Sequence, residues 1–339
     1  MSEHGDSVAR PRVRAGRSTF LVVAALIATT LTGVAFVTLR EPAGPVPVVL
    51  DTDIATDVDD ALALGVLLGS PEIALVGVTT VYGDTLQRAR FASRLIHLAD
   101  PDLDIPVVVG QRQPLSKRPV WSSGHEGELF DDLALELISQ SADDARFLID
   151  TARRHRGKLV VLAVGPLTNI ALALELDPGF ADNVKDLVIM GGDFRTGDRT
   201  PEFNFYSDVV ATQEIFDSNI HITVGGLDLT TQSKLGQSQR QLISRCGRLG
   251  AALADELDAW WAFQRHPWNY PHDPTLATWL VQPELFNTRH ATVTIGDNGF
   301  SIDQHDQGGR VTIVDRMQNE PMIDAMTKRM CAAGRAHTP

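Results

Sequence analysis

Five aspartates, Asp51, Asp53, Asp57, Asp59 and Asp60, fall within ten residues directly after a hydrophobic run. Like charges this close repel. In a folded chain they coexist only beside a cation or with shifted pKa values, and a hard divalent ion with oxygen ligands is the economical solution. The plainer reading, in which Asp59 or Asp60 caps the following helix, accounts for one aspartate and leaves four. Polar clusters recur further on: Tyr82-Gly83-Asp84, Val164-Gly165-Pro166, Gly191-Gly192-Asp193, Pro201-Glu202-Phe203-Asn204 and Pro271-His272-Asp273-Pro274. Each alone is a turn, a helix cap or a surface histidine. Placed together at one edge of one sheet, they describe a metal site with a histidine beside it.

Hydrophobic runs of strand length (46–50, 73–80, 106–109, 159–164, 187–190, 222–224) alternate with segments of helical spacing (61–68, 86–98, 143–155, 167–176, 209–217). Continuous β-branched strands taking turns with amphipathic helices predict one α/β domain, an open, mostly parallel sheet with helices on both faces. Two later runs, 291–295 and 311–314, read as a hairpin, and 322–333 as a closing helix. The motif His272-Asp273-Pro274 opens a further helix. In such folds ligands bind at the carboxyl ends of the strands, which is where the polar clusters fall.

The remaining composition is ordinary except at the front. The 339 residues carry 30 Lys+Arg against 43 Asp+Glu, a formal net charge of -13, and no basic cluster follows residue 41. A nucleic-acid partner therefore has no electrostatic basis. Arg10, Arg12, Arg14 and Arg17 precede an uncharged stretch, 18–39, that Arg40 closes. Its 22 residues would span roughly 33 Å as a helix, enough for a hydrocarbon core. The arginine flanks predict an internal N-terminus and an exported body. The segment is either a transmembrane anchor or a cleaved signal, so the body is held at the cell membrane or secreted. The chain thus divides into a basic segment 1–17, the apolar segment 18–39, a Pro/Gly linker 40–46 and a catalytic domain 47–335. Cys246 and Cys331 match no zinc or redox spacing and form one bridge or none.

Several of these segments resemble the inosine-uridine preferring nucleoside hydrolases, in that family's order. They are Asp51-Thr52-Asp53 with Asp59-Asp60-Ala61-Leu62-Ala63-Leu64, residues 77–84, 165–171, Met190-Gly191-Gly192, Glu202-Phe203-Asn204 and His272-Asp273-Pro274. The resemblance implies the family's Rossmann-like fold and Ca²⁺-dependent cleavage of ribonucleosides into base and ribose, with a calcium ion binding the attacking water and the ribose diol. It implies Asp53, Asp60, Asp273 and the Val164 carbonyl as calcium ligands, and Asp53 also as the base. It places Asp59, Asp84, Glu202 and Asn204 on the substrate and His272 near the leaving base, as its acid. The acidic loop is two residues longer than the family's common form, which leaves a role open for Asp57. Asp84 stands where many relatives have Asn, the 197–202 segment is short, and His125 falls roughly at a family histidine loop.

Two rival readings compete. An exported calcium-dependent nucleoside-binding domain without turnover would fit the departures, and haloacid-dehalogenase-like Mg²⁺ phosphatases also begin with Asp-x-Asp. The latter lack support here: Ala55 stands where they carry Thr or Val, and Lys158 precedes its strand instead of following one. Trp260, Trp261, Phe263, Trp268 and Tyr270 crowd the residues before His272; two or three belong to helix core, and the rest are free to stack on a base. Base preference and homo-oligomerisation stay open. An exported site would suit scavenging of external nucleosides.

Overall fold

Val48, Val49 and Leu50 are wholly buried, yet they face opposite layers of side chains. Val48 and Leu50 join the cluster that includes Leu62, Phe91 and Leu253, while Val49 joins Leu148, Ile170 and Phe205. A strand buried on both faces belongs inside a helix-covered sheet, as its unbroken hydrophobic run predicts.

The computed structural model describes residues 44–333 apart from 125, 137, 139–143 and 307. The expectations for segments 1–17 and 18–39, for most of the linker and for His125 lie outside the described residues. Among the described residues no helix is long and apolar enough to cross a membrane.

The strands are β1 (Val46–Thr52), β2 (Ile73–Thr80), β3 (Val107–Val109), β4 (Leu159–Ala163), β5 (Val184–Met190), β6 (Ile222–Gly225), β7 (Leu235–Gly236), β8 (Trp268–Asn269), β9 (Phe286–Ala291), β10 (Val293–Ile295), β11 (Ser301–Asp303) and β12 (Val311–Met317). The main sheet has eight strands in the order β3-β2-β1-β4-β5-β6-β12-β9. Every pairing in it is parallel except β12 with β9. The order reverses between β1 and β4, so the connections leaving their carboxyl ends go to opposite faces and open a crevice there.

The expected hairpin is corrected. Segment 311–314 does pair antiparallel with Ala291, but through β9, a strand whose middle residues Asn287, Thr288 and His290 are exposed and gave no apolar run. Residues 293–295 leave the sheet and pair with β11 instead. The departure is enforced at Thr292, whose N–H and hydroxyl both donate to Asp306, at 2.7 Å each. Another element without a clean period is the helix Gly247–Gln264, which brings Trp260 and Trp261 inward.

Cys246 and Cys331 form a disulfide across 85 residues. It fastens the start of the Gly247–Gln264 helix to the closing helix Asn319–Ala333, which packs on the helix Asp59–Leu68. Closing a loop of that length removes unfolded-state entropy, and such bridges typically contribute about 2–4 kcal/mol. The paired variant Cys246→Ser/Cys331→Ser should lose stability in that range in denaturant unfolding. An unchanged midpoint would mean that the bridge is idle.

Candidate active site

At the crevice, β1 and β4 lie side by side, with Asp51 opposite Ala163 and the Val164 N–H donating to the Asp51 carbonyl at 2.8 Å. The acidic loop and Val164 therefore emerge as neighbours. Gly165 permits this closeness, because a Cβ there would lie 2.9 Å from Asp53 Oδ1 and 3.0 Å from its backbone nitrogen. The cavity above holds about 290 Å³, and Asp53, Asp57, Asp59, Asp60, His272 and Asp273 line it. Val164, Met190, Glu202 and Asn204 line it too, and Trp121, Phe203 and Trp260 add aromatic wall.

Asp59 and Asp60 occupy the first turn of the helix Asp59–Leu68, and Asp273 the first turn of the helix His272–Val281. The two helices pack on each other, and carboxylate oxygens of Asp59, Asp60 and Asp273 lie within 4.8 Å of one another. All three residues are buried. Two helix N-termini offer partial positive charge, and the Asp273 N–H donates to Asp59 Oδ2 at 3.4 Å. Thr52 Oγ1 donates to Asp60. These contacts do not offset the repulsion. Burial, then the neighbouring carboxylates, push Asp59, Asp60 and Asp273 well above the ordinary aspartate range. Burial, then the Asp60 charge, pushes Asp57 up to about 7. Burial also raises Asp53, against the pull of Arg88.

The donors are all oxygens, as a hard divalent ion requires. The tight triple differs in one member from the expected ligand set: it contains Asp59, whereas Asp53 lines the same cavity outside it. Glu202 and Asn204 line the cavity. Glu202 accepts the N–H groups of Gly192, Asn204 and Phe205 at 2.8–3.0 Å. Asn204 Nδ2 donates to the carbonyls of Val164 at 2.9 Å and Met190 at 3.2 Å. Asp84 is not in the cavity. It is exposed and caps the helix Thr85–Ala99, accepting the Gln87 N–H at 3.3 Å. It borders a neighbouring cavity that shares Trp121 with this one, and not the acidic cavity in which the sequence reading places it.

His272 lines the cavity with Nδ1 2.6 Å from Thr230 Oγ1. Burial lowers its imidazole to about 4, so the ring is neutral at physiological pH. Of the five clustered aromatics, Trp260 and Trp261 are core, and Trp260 also reaches the cavity. Phe263 is half-exposed.

Sequence reasoning missed Arg88, Trp121 and Phe203. Arg88 is 3% exposed and spends its guanidinium on the acidic loop. Nη1 donates to the carbonyls of Asp53 and Ile54 and to Thr56 Oγ1, while Nε donates to the Tyr82 carbonyl at 2.6 Å. A signal was present, since Arg88 sits three and four residues before the buried Phe91 and Ala92, on the apolar face of its helix. Trp121 and Phe203 meet edge to face at 6.0 Å; Phe203 lies within the Glu202-Phe203-Asn204 segment, whereas nothing in its sequence context marks Trp121.

Residues 48–331 match the family model described as inosine-uridine preferring nucleoside hydrolase. The chain is 31% identical over 273 residues to uridine nucleosidase 1 of Arabidopsis thaliana, covering 75% of this chain and 79% of that one. It is 30% identical over 268 residues to the inosine-uridine preferring nucleoside hydrolase of Leishmania major, covering 75% and 85%. Its fold is similar to that of the purine-preferring ribonucleoside hydrolase from Gardnerella vaginalis, with a TM-score of 0.75, 26% identity and coverage of 86% and 100%.

Glu202 gives a pH test of this site. Burial raises its carboxyl to about 7, although its three N–H donors pull the other way. A carboxyl with a raised folded pKa contributes stability that is fully present below its unfolded value near 4.3 and is lost as pH rises through about 7. The advantage of the parent over Glu202→Gln should therefore shrink as pH rises across that window. Denaturant unfolding between pH 4 and 8 reads it, and an advantage that grew instead would place the charged form as the favoured one.

Proposed function

The chain belongs to the inosine-uridine preferring nucleoside hydrolase family and is a hydrolase acting on N-glycosyl compounds; from that premise we propose that it cleaves ribonucleosides to free base and ribose with the help of Ca²⁺. The observation that carries the metal reading is the buried triple of Asp59, Asp60 and Asp273, whose like charges and burial push all three well above the ordinary aspartate range. Asp60, Asp273, Asp53 and the Val164 carbonyl would hold the ion. Asp59, with one oxygen already taking the Asp273 N–H, would turn its other oxygen to the ribose hydroxyls together with Glu202 and Asn204. A calcium ion bound there supplies the positive charge that orients a water and the ribose diol and makes that water easier to deprotonate.

The rest is done by the chain. Asp53, which lines the cavity beside the triple, takes the proton from the attacking water. As the C1′–N bond breaks and the water oxygen bonds to C1′, positive character grows on the ribose. The ring of carboxylates tolerates it. The departing base takes up the electron pair on the side of His272, whose neutral ring serves it as a hydrogen-bond donor. Asp57 lines the same cavity, where the lengthened loop brings it.

Purified protein with a nucleoside panel should release base, and a calcium chelator should abolish the release. Asp273→Ala should lose both calcium binding and turnover. If it binds Ca²⁺ as well as the parent while Asp60→Ala does not, the triple is not a shared site. Binding of nucleosides with no base released would favour the rival reading, a binding domain without turnover. His272→Ala should keep calcium and lose kcat, most of all on nucleosides whose base leaves poorly. A p-nitrophenyl riboside, whose leaving group needs no such help, should be affected much less.

We also propose an extracytoplasmic body, held at the membrane or released after cleavage. The arginine-flanked segment 18–39 supports it, and so does a disulfide that would not persist in a reducing compartment. Protease added to intact cells should reach the domain. Protection until lysis would overturn this topology.

A further inference from the structure

His272 is held from two sides by one piece of chain. The short ribbon of β7 and β8 pairs Leu235 with Asn269 and Gly236 with Trp268, which fixes the register between the segment carrying Thr230 and the segment leading to His272. At alternate positions of the latter, aromatic rings form a ladder. His266 stacks on Trp268 at 4.5 Å, Trp268 meets Tyr270 at 5.0 Å, and Tyr270 meets His272 at 5.7 Å. Lys234 lies 3.6 Å from the Trp268 ring centroid, joining the ladder back to the Thr230 segment. The end of this assembly is the contact of Thr230 Oγ1 with His272 Nδ1 at 2.6 Å.

A neutral imidazole carries one proton, and the partner of one nitrogen decides which nitrogen carries it. Thr230 is wholly buried. Among the described residues its hydroxyl contacts no other hydrogen-bond partner, whereas the neighbouring Thr231 hydroxyl donates to the Leu227 carbonyl at 2.5 Å. If Nδ1 donated to Thr230, the hydroxyl proton would be buried without an acceptor, a cost of about 1–3 kcal/mol. If the hydroxyl donates to Nδ1, nothing is left unpaired. We propose that Thr230 is a positioning residue that holds His272 as the Nε2–H tautomer, so that the one N–H of the ring is offered to the cavity and to the nitrogen of the departing base. This rests on the reading of the site as a nucleoside hydrolase, and it names the residue that makes His272 a donor and not an acceptor there.

The test is nitrogen NMR of the full chain labelled with [15N]histidine, in the presence of Ca²⁺ and without substrate. The His272 signals are assigned by their disappearance in His272→Asn. The parent should show an unprotonated, hydrogen-bonded Nδ1 and a protonated Nε2. A proton on Nδ1 in the parent overturns the proposal. In kinetics, Thr230→Val should lower kcat about tenfold, the worth of one hydrogen bond, with KM nearly unchanged. Thr230→Ser should restore it, whereas a purely structural role would leave Ser as poor as Val. A KM increase with unchanged kcat in Thr230→Val would also overturn it. Failure of the parent to cleave any nucleoside strikes the reading of the reaction, while the nitrogen shifts still decide the tautomer.

Discussion

The constraint on which the structure turns is electrostatic: carboxylates that repel one another are buried within a few ångströms. Burial alone pushes such groups toward the protonated form, and each neighbour pushes further. The fold answers mainly with dipoles and hydrogen-bond donors. Two helix N-termini are aimed at the cluster, Thr52 donates to Asp60, and the Asp273 N–H donates to Asp59. The buried Arg88 lowers Asp53 and Asp60 through its charge, yet its hydrogen bonds to the loop go to the carbonyls and the Thr56 hydroxyl and not to the carboxylates. That allocation fixes the shape of the loop and leaves the acids in want of a cation.

Bringing the acids together is a matter of topology. Asp60 and Asp273 are separated by most of the domain, and only the packing of the helix Asp59–Leu68 against the helix His272–Val281 makes them neighbours. The disulfide strengthens the same region from behind, through the closing helix that packs on Asp59–Leu68. Parallel strands contribute the rest. Because β1, β4 and β5 all point the same way, Asp53, Val164 and the Met190 carbonyl emerge at one edge, and a single side chain, Asn204, bonds the last two carbonyls together.

What was legible in the sequence follows from which interactions are local. The central strands were readable because burial on both faces leaves an unbroken hydrophobic run, and the acidic loop because five carboxylates in ten residues have few explanations. The strand β9 was not, since it lies at the sheet edge and its polar middle residues need no period. Asp84 misled for a related reason. An aspartate between a strand and a helix satisfies the requirements of a ligand and of a cap equally, and only the direction of the turn, set by Tyr82 and Gly83 at φ 65° and 82°, decides for the cap. Trp121 reaches the cavity through tertiary contacts that no spacing encodes.

Thr230 belongs to the same class of hidden residue, and shows why a site cannot be reduced to its acids. A threonine near the end of a four-residue helix carries no signal by type or position. Its significance comes from the register of a two-residue ribbon, β7 with β8, which sets where one loop meets another. A one-residue slip of that ribbon would turn the ladder residues to the opposite face, because side chains alternate along extended chain. The imidazole would then lose Thr230, its partner on the other segment. Asp273, in the first turn of the helix His272–Val281, would keep its place through helix packing. The acidic cluster and the histidine beside it are thus fixed by different parts of the fold, the one by the packing of two helices and the other by the pairing of two loops.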